Sequence, residues 1–438
     1  MNGIKIGIIG LGTVGGGVYE IIKRREKIIR SRVGSNIVIK KAGDKRKKVK
    51  KDLNIPDHVF TTQYEDILND KEISIVVVLT GNPDFAFKVI KKCFKNSKHV
   101  VTANKALLGT KWKELFEMAR ECGCLLYFEA SVGSGIPVIQ GINEGLVANR
   151  ITKIKGILNG TTNYILTKMS KELLPVKKAK SVAVKEGFAE PDSDADITGL
   201  DAAHKIAILA NLVLDKPVEF KDIYYQGIEN ILLKDIKYAK DMFDFRIKLI
   251  SVMKKHSNGV EIRVNPALIT RDDMLASVNY EYNGIIVEGD EAGEIMFYGK
   301  GAGRYPAASA VVSDIIYLAQ KVNYNIAGDI PYIHTGSKSK IRVIPMDELK
   351  FQYYVRFTTV DEPGVLSKIS GILGKNKVSI ASCFQKGRSS EKEVPILMVT
   401  HKSKEGNMKK ALKEIDALNV VKKKSIFIRI ESEKESYG

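Results

Sequence analysis

Residues 4–15 read IKIGIIGLGTVG, and this stretch decides the fold of the first part of the chain. Ile4–Ile9 is a β-branched run typical of a strand, and Val14–Arg30 has apolar residues at helical spacing. The intervening GxGxxG pattern allows a tight turn, close approach of the backbone to a pyrophosphate, and packing of the helix on the strand. It predicts a dinucleotide site, with a glycine turn that binds nothing as the alternative. The predicted cofactor residues here are Gly10, Gly12, Thr13, Val14 and Gly15.

The apolar segments that follow extend this start into an α/β fold. Strands are expected at Ile37–Ala42, Ile73–Leu79 and His99–Thr102, with amphipathic stretches between them. Strands and helices in alternation favour a parallel, doubly wound, Rossmann-type sheet over residues 1–130.

The remainder of the chain is expected to form two further domains. A mixed α/β pattern covers residues 131–330, of which 305–330 are expected to pack back on the first domain. Residues 331–350 are expected to be a linker. Residues 351–438 read strand, helix, strand, strand, helix, strand, which is the order of a ferredoxin-like domain.

The composition is that of a globular chain with an excess of positive charge. Lys and Arg number 70 against 51 Asp and Glu, and residues 1–51 alone carry +12 of the net +19. Such a cluster raises the question of a nucleic-acid partner. Since no helix-turn-helix or zinc-finger pattern accompanies this cluster, we expect no nucleic-acid partner. The sequence also has no membrane-length apolar run, no signal-peptide pattern and no CxxC pair, so we expect a cytoplasmic protein without a membrane partner.

The residues after the second predicted strand bear on the choice of nucleotide. Asp44 could accept a hydrogen bond from the ribose 2′-hydroxyl of NAD. Lys45 and Arg46 follow it at once, and cations at this point suit the 2′-phosphate of NADP. The sequence favours NADP and leaves NAD open, and a solvated basic helix start is the alternative without a ligand.

Two lysines stand where chemistry is expected. Lys105 follows a strand, close to the strand ends where such sheets bind ligands. Asp201 and Lys205 share a helix face, and Thr198 with Asp201 matches a capping box. This spacing fits either a surface ion pair on a capped helix or a carboxylate that orients a partly desolvated lysine. The acidic run before it, with Asp192, lacks the glycine and glutamate of a calcium loop.

Six ordered blocks resemble homoserine dehydrogenase of the monofunctional type with a C-terminal ACT domain. They are GLGTVG (10–15), HVVTANKALL (99–108), FEASVGSGIPVI (128–139), KGILNGTTNYIL (155–166), GFAEPDSDADITGLDAAHK (187–205) and GKGAGRYPAASAVVSDI (299–315). The resemblance covers essentially the whole chain. It implies that residues 131–330 are a catalytic and dimerisation domain.

The resemblance also implies roles for particular residues. Lys205 is the implied proton carrier with Asp201 as its partner, and Lys105 polarises the substrate on the cofactor side. Glu190 is implied to hold the amino group of the substrate, with Asp196 nearby. Thr80 and Gly301 are implied cofactor contacts. An implied sodium ion is held by backbone carbonyls of Glu129, Val132, Ser134 and Ile136.

The implied reaction is the reversible, NADP- or NAD-dependent reduction of L-aspartate 4-semialdehyde to L-homoserine in threonine, methionine and isoleucine biosynthesis. The turn at Asp361–Gly364 would line an amino-acid effector pocket, for threonine, between paired ACT modules of a homodimer or homotetramer. A dimerisation module without an effector is the alternative. A dehydrogenase of the 3-phosphoglycerate type is disfavoured because the dinucleotide pattern opens the chain.

Overall fold

A six-stranded parallel sheet forms the first unit of the computed structural model, which describes residues 3–190, 194–327, 332–333, 341–385 and 393–431. The strand order is β3-β2-β1-β4-β5-β6, which is the Rossmann order and confirms the predicted fold class. The elements are β1 (Ile4–Ile9), α1 (Thr13–Arg24), α2 (Glu26–Val33), β2 (Ile37–Gly43), α3 (Lys48–Asp52), β3 (Phe60–Thr61), α4 (Glu65–Leu68), β4 (Ile73–Val78), α5 (Pro83–Lys95), β5 (His99–Thr102), α6 (Lys105–Glu121) and β6 (Leu126–Tyr127).

The helix after the glycine turn is broken, whereas the sequence predicts one helix from Val14 to Arg30. Arg25 has φ −110° and ψ 20°, outside the helical range, and separates α1 from α2. In a continuous helix, Lys23 and Lys27 would be neighbours on one face, four residues apart. Like charges at that spacing destabilise a helix. The apolar face survives the break, because Ile29 and Val33 remain buried.

The second unit packs helices against a largely antiparallel sheet. The strands run in the order β12-β11-β7-β9-β10, and α8, α11 and α12 contact this sheet. The elements are α7 (Val138–Gln140), β7 (Ile151–Ile157), α8 (Gly160–Glu172), α9 (Val176–Lys185), α10 (Asp194–Ile197), α11 (Leu200–Val213), β8 (Tyr224–Tyr225), α12 (Leu233–Phe243), β9 (Phe245–His256), β10 (Gly259–Thr270), β11 (Tyr282–Gly289), β12 (Gly293–Lys300) and α13 (Arg304–Asn323). Within the described ranges, no helix is both long and apolar enough to span a bilayer.

The last helix of this unit, α13, returns to the first unit and packs along α1. A Cβ on Gly17 would lie 2.9 Å from the Cβ of Ala308, so this contact requires a residue without a side chain. Arg304 Nη2 lies 2.7 Å from Glu20 Oε1 at one end of the contact. α13 therefore covers the outer side of the helix that follows the glycine turn.

The C-terminal unit has the ferredoxin-like arrangement predicted from the sequence. Its strand order is β17-β13-β15-β14, with antiparallel neighbours. The elements are β13 (Lys350–Thr359), α14 (Val365–Lys375), β14 (Ile380–Gln385), β15 (Val394–Thr400), β16 (Ser403–Lys404), α15 (Glu405–Asp416) and β17 (Val421–Ile430). β17 also pairs with β10 through Ala267 and Leu268, so the second and C-terminal units share one sheet.

Buried ion pairs connect the C-terminal unit with the second unit. Arg356 on β13 donates to Asp235 on α12 at 2.6 and 3.1 Å, and neither residue is more than 2% exposed. Arg263 on β10 donates at 2.7 Å to Glu431, just past β17. Since a charge buried without a partner is costly, these pairs oppose separation of the two units.

Replacement of Asp235 by Ala should therefore destabilise the protein strongly. The variant leaves the Arg356 guanidinium buried without its carboxylate, a situation that costs about 3–5 kcal/mol. The free energy of unfolding is measured by urea denaturation with circular dichroism. As a control, the double variant Asp235→Leu with Arg356→Met should recover most of the loss, because it buries no charge. Equal stability of the single and double variants would contradict the assignment.

Candidate active site

The candidate site forms where α6 of the first unit crosses α11 of the second. Lys105 is the first residue of α6, and Asp201 lies in the first turn of α11. A Cβ on Gly109, one turn along α6, would lie only 3.1 Å from the backbone oxygen of His204. The close approach of the two helices therefore depends on the absence of a side chain at this position.

Asp201 is paired with two lysines at once. Its Oδ2 lies 2.7 Å from Lys205 Nζ and its Oδ1 lies 2.6 Å from Lys105 Nζ. The side chain of Asp201 is only 4% exposed. Burial alone would raise the pKa of this carboxyl, but the charges of Lys205 and Lys105 outweigh burial and hold its pKa well below the usual value.

The two lysines differ in their surroundings. Lys205 is buried, and its Nζ also donates to the carbonyl oxygen of Leu158 at 2.6 Å. Burial lowers the pKa of Lys205 despite the opposing charge of Asp201. The side chain of Lys105 is 46% exposed, and burial is outweighed there by Asp201 and other carboxylates, so its pKa is raised. Lys205 is thus the amine whose proton is more readily released.

Both predicted substrate carboxylates act on Lys105 through their charge. Asp196 on α10 accepts a hydrogen bond at 2.6 Å from Asn159 Nδ2. Glu190 is exposed, and its charge acts with that of Asp196 to raise the pKa of Lys105. The structure therefore brings Glu190 and Asp196 into the electrostatic surroundings of Lys105. Asp192, in the same acidic run, lies outside the described residues.

Asn159 and the Leu158 carbonyl are site groups that the sequence did not predict. Both follow β7 directly, and Asn159 caps α8 by accepting from the backbone N–H of Thr162 at 2.8 Å. A capping asparagine at the end of a strand, inside the motif KGILNGTTNYIL, was an available signal. The contact between Asn159 and Asp201 joins segments that are distant in sequence, so no local pattern predicts it.

The predicted capping box at Thr198 and Asp201 is wrong. α11 begins after Gly199, which has φ 83° and makes no side-chain cap. The hydroxyl of Thr198 donates instead to the backbone oxygen of Asp194 at 2.8 Å. Gly199 takes this left-handed conformation beside the Gln226 carbonyl, 3.2 Å from where a Cβ would lie. The Asp201 side chain is thereby directed to the lysines rather than to the helix end.

The glycine turn has the geometry that a dinucleotide requires. Gly10 has φ 95°, and a Cβ there would lie 2.5 Å from the Leu79 carbonyl oxygen. A Cβ on Gly15 would lie 1.9 Å from the oxygen of Gly10, so helix and strand pack without a side chain between them. Gly12 is the N-cap of α1 and makes no side-chain cap, which leaves the N-terminal N–H groups at Thr13 and Val14 available to a phosphate.

The other predicted cofactor contacts lie around this turn and around Lys205. Thr80 follows β4, and its Cγ2 lies 3.4 Å from the Cβ position of Gly10. Gly301 follows β12, and a Cβ there would lie 2.2 Å from Asn283 Oδ1. Asn283 Nδ2 donates to the Leu158 carbonyl at 3.2 Å, the same oxygen that accepts from Lys205.

Asp44 and Arg46 form a closed pair at the end of β2. Asp44 Oδ2 accepts from the Leu11 N–H and Arg46 Nη2 at 2.9 Å each, and Oδ1 accepts from Arg46 N at 2.9 Å and Nε at 3.0 Å. Burial would raise the pKa of Asp44, but these hydrogen bonds outweigh it and the pKa is lowered. Arg46 Nη2 also lies 3.9 Å from the Cβ position of Gly12. Lys45 lies apart, with Nζ 5.9 Å from the Phe85 ring centroid.

The turn implied to hold sodium is buried and rich in unpaired carbonyls. Glu129, Val132, Ser134 and Ile136 are each less than 9% exposed. Among the described residues, no hydrogen-bond donor reaches the backbone oxygens of Val132 or Ser134, and a buried carbonyl without a protein donor needs another partner, such as water or a cation. Ser134 has φ 58°, which favours glycine. The described part of the chain has no cluster of three or more His, Cys, Asp or Glu side chains suited to a metal.

A cavity of about 1310 Å³ opens elsewhere, between residues of the second unit and residues of the C-terminal unit. It is lined by charged residues of both signs, among them Lys155, Arg263 and Glu431. None of the candidate site residues borders it. Convergent charged groups, rather than cavity volume, therefore define the candidate site.

Comparisons with known proteins agree on one family. The family model described as "Homoserine dehydrogenase, NAD binding domain" matches residues 10–129, and "Homoserine dehydrogenase" matches residues 137–316. A homoserine dehydrogenase of Neisseria gonorrhoeae is 38% identical over 99% of both chains. The crystal structure of a homoserine dehydrogenase from Thiobacillus denitrificans superposes with a TM-score of 0.93, at 36% identity over 98% of this chain and 99% of that one. A hyperthermophilic archaeal homoserine dehydrogenase in complex with NADPH superposes with a TM-score of 0.63, at 26% identity over 76% of this chain and 99% of that one.

Proposed function

Because the chain belongs to the homoserine dehydrogenase family of NAD(P)-dependent oxidoreductases, we propose that Lys205 moves the proton in the interconversion of L-aspartate 4-semialdehyde and L-homoserine. The observation that carries this proposal is the buried Lys205 amine, 2.7 Å from Asp201 and 2.6 Å from the Leu158 carbonyl. Its lowered pKa brings the amine closer to a working pH, as a general acid and base requires. The product would enter threonine, methionine and isoleucine biosynthesis.

Each charged group has one task in this mechanism. A nicotinamide cofactor held at the glycine turn would supply or accept the hydride at C4 of the substrate. Lys205 donates a proton to the C4 oxygen on reduction and takes it back on oxidation, while Asp201 fixes the direction of the amine. Lys105 keeps its charge because its pKa is raised, and its exposed ammonium favours the negative charge that develops on that oxygen. Glu190 and Asp196 attract the amino group of the substrate.

Replacing Lys205 with Ala should lower kcat about 10²–10⁴-fold, the usual contribution of general acid–base catalysis. The KM for the nicotinamide cofactor should stay unchanged, and both constants come from steady-state oxidation of L-homoserine. The matched control is Lys248→Met. Lys248 is also buried, and burial lowers its pKa to about 7, but its partners are Asn163, Val278 and Asn279, outside the site. Turnover that survives in Lys205→Ala would refute the role of Lys205.

We also propose that the cofactor is NADP. All hydrogen-bonding positions on the Asp44 carboxylate are taken by Leu11 and Arg46, so a ribose 2′-hydroxyl would have to displace Arg46 to bind there. The Arg46 guanidinium keeps N–H groups that Asp44 does not use, and these suit a 2′-phosphate. The NADPH bound to the archaeal relative supports the same choice.

Arg46→Gln should raise the KM for NADPH about 10–100-fold, because a charge-assisted hydrogen bond contributes about 1.5–3 kcal/mol. The KM for NADH should stay the same or fall, since Asp44 becomes free to accept from the ribose. Steady-state assays with each cofactor measure both effects, and Lys47→Gln, an exposed neighbouring cation, is the control. An equal rise for both cofactors would argue against the proposal.

A sodium ion on the carbonyls of Glu129, Val132, Ser134 and Ile136 would hold this buried turn in shape. The two carbonyls without donors support it. The ion would supply charge to pair with those oxygens and would take no part in the chemistry.

The C-terminal unit is proposed to be an ACT domain that binds threonine and slows the enzyme. A chain of contacts supports communication with the site. Arg429 on β17 donates to Gln226 Oε1 at 3.0 Å, and the Gln226 carbonyl lies against Gly199 at the start of α11. The turn at Asp361 and Gly364 is exposed before α14, where an effector could reach it.

Threonine at millimolar concentration should lower the rate of homoserine oxidation, and Asp361→Ala should abolish this inhibition with kcat unchanged in the absence of threonine. The reason is that Asp361 lies on the effector turn, remote in sequence from the lysines of the site. Initial rates with and without threonine provide the measurement, with methionine and lysine as comparison ligands. A rate that no amino acid changes would favour a structural module.

A further inference from the structure

The amide of Asn159 contacts two of the carboxylates of the site, Asp201 and Asp196. Its Nδ2 donates to Asp201 Oδ2 at 2.8 Å and to Asp196 Oδ1 at 2.6 Å. An amide nitrogen has two hydrogens, so these two bonds use its full donor capacity. Asn159 is only 4% exposed, and water therefore has little access to replace either bond.

The opposite side of the amide is held just as firmly. Asn159 Oδ1 accepts from the backbone N–H of Thr162 and from its hydroxyl, each at 2.8 Å. Thr162 is fully buried in the first turn of α8. Rotation of the amide by half a turn would direct its oxygen at two carboxylates and its N–H groups at a backbone N–H. The network therefore allows one orientation of the amide only.

From this geometry we propose that Asn159 is a positioning residue, which sets the proton-carrying pair and the substrate-binding carboxylate at a fixed distance from each other. The inference rests on the proposed roles of Lys205, Asp201 and Asp196. The carboxylate oxygen that Asn159 holds, Asp201 Oδ2, is the one that contacts Lys205 Nζ. Asn159 thereby fixes the direction in which this oxygen faces the amine.

Leu158, the residue before Asn159, also contacts the proton-carrying pair. The Leu158 carbonyl accepts from Lys205 Nζ at 2.6 Å, so two consecutive residues after β7 contact the amine and its carboxylate partner. Without the Asn159 donors, Asp196 and Asp201 would repel each other and rotate apart, because two carboxylates placed close together are unfavourable. Loss of Asn159 should thus affect both the proton step, through Asp201, and substrate binding, through Asp196.

Two variants separate this role from helix capping. Asn159→Ser keeps a good N-cap for α8 but removes both donors to the carboxylates. It should lower kcat about 10–100-fold, the scale of a catalytic group misplaced by about 1 Å. The KM for L-homoserine should rise several-fold, and the KM for NADP⁺ and the melting temperature should change little.

Asn159→Asp keeps the shape and the cap but adds a negative charge beside Lys205. An added carboxylate favours the ammonium form, so the acidic limb of the kcat profile for homoserine oxidation should move to higher pH by about one unit. Loss of the α8 cap alone would leave this limb unmoved. The matched control is Asn211→Ser, since Asn211 is equally buried in the same helix as Asp201 but, among the described residues, bonds the backbone of Val218 and no carboxylate. It should leave kcat and the pH profile unchanged.

The inference is overturned if both Asn159 variants keep kcat and the homoserine KM within twofold of the parent chain. It is overturned as well if their losses match those of Asn211→Ser and the pH limb does not move. Lys205→Ala, measured alongside, separates this failure from failure of the proposed site. An inactive Lys205→Ala with normal Asn159 variants removes the positioning role alone, whereas an active Lys205→Ala removes the site and the inference together.

Discussion

One buried carboxylate, Asp201, connects the first and second units, between which the candidate site lies. A carboxylate at this depth is tolerable only when it is paired, and its two partners come from different units of the chain. Lys205 lies one turn away on α11, whereas Lys105 comes from α6 of the nucleotide-binding unit. A single ion triad of Lys105, Asp201 and Lys205 therefore links the two units. Any motion that separates α6 from α11 must break the Lys105 contact first.

The same triad explains why two lysines of one site differ in their readiness to lose a proton. Both face Asp201, but only Lys205 is enclosed by the core, whereas Lys105 remains open to solvent and to further carboxylates. Burial disfavours the charged amine in the first case, and neighbouring negative charge favours it in the second. Two chemically identical groups thus acquire different tasks from their surroundings alone.

The parts that sequence reasoning predicted are those set by local constraints. The glycines at 10 and 15 are required by contacts within one strand–turn–helix unit, and the Rossmann order followed from them together with the alternation of strands and helices. The spacing of Asp201 and Lys205 likewise needs only one helix. The contacts of Asp201 with Lys105 and Asn159 depend on how distant elements pack, and no local pattern encodes them. The predicted cap at Thr198 is wrong for the same reason, because Gly199 begins the helix in a left-handed conformation beside Gln226, which belongs to a later segment.

The packing of α13 on α1 has a consequence for how the chain is made. The glycine-lined side of α1, at Gly16 and Gly17, is covered by Arg304 and Ala308, which are translated long after β6. A nascent chain that has emerged only as far as β6 contains every strand of the first sheet but lacks the helix that covers this side. The nucleotide-binding unit can therefore be completed only after most of the second unit has been synthesised, although its strands come first.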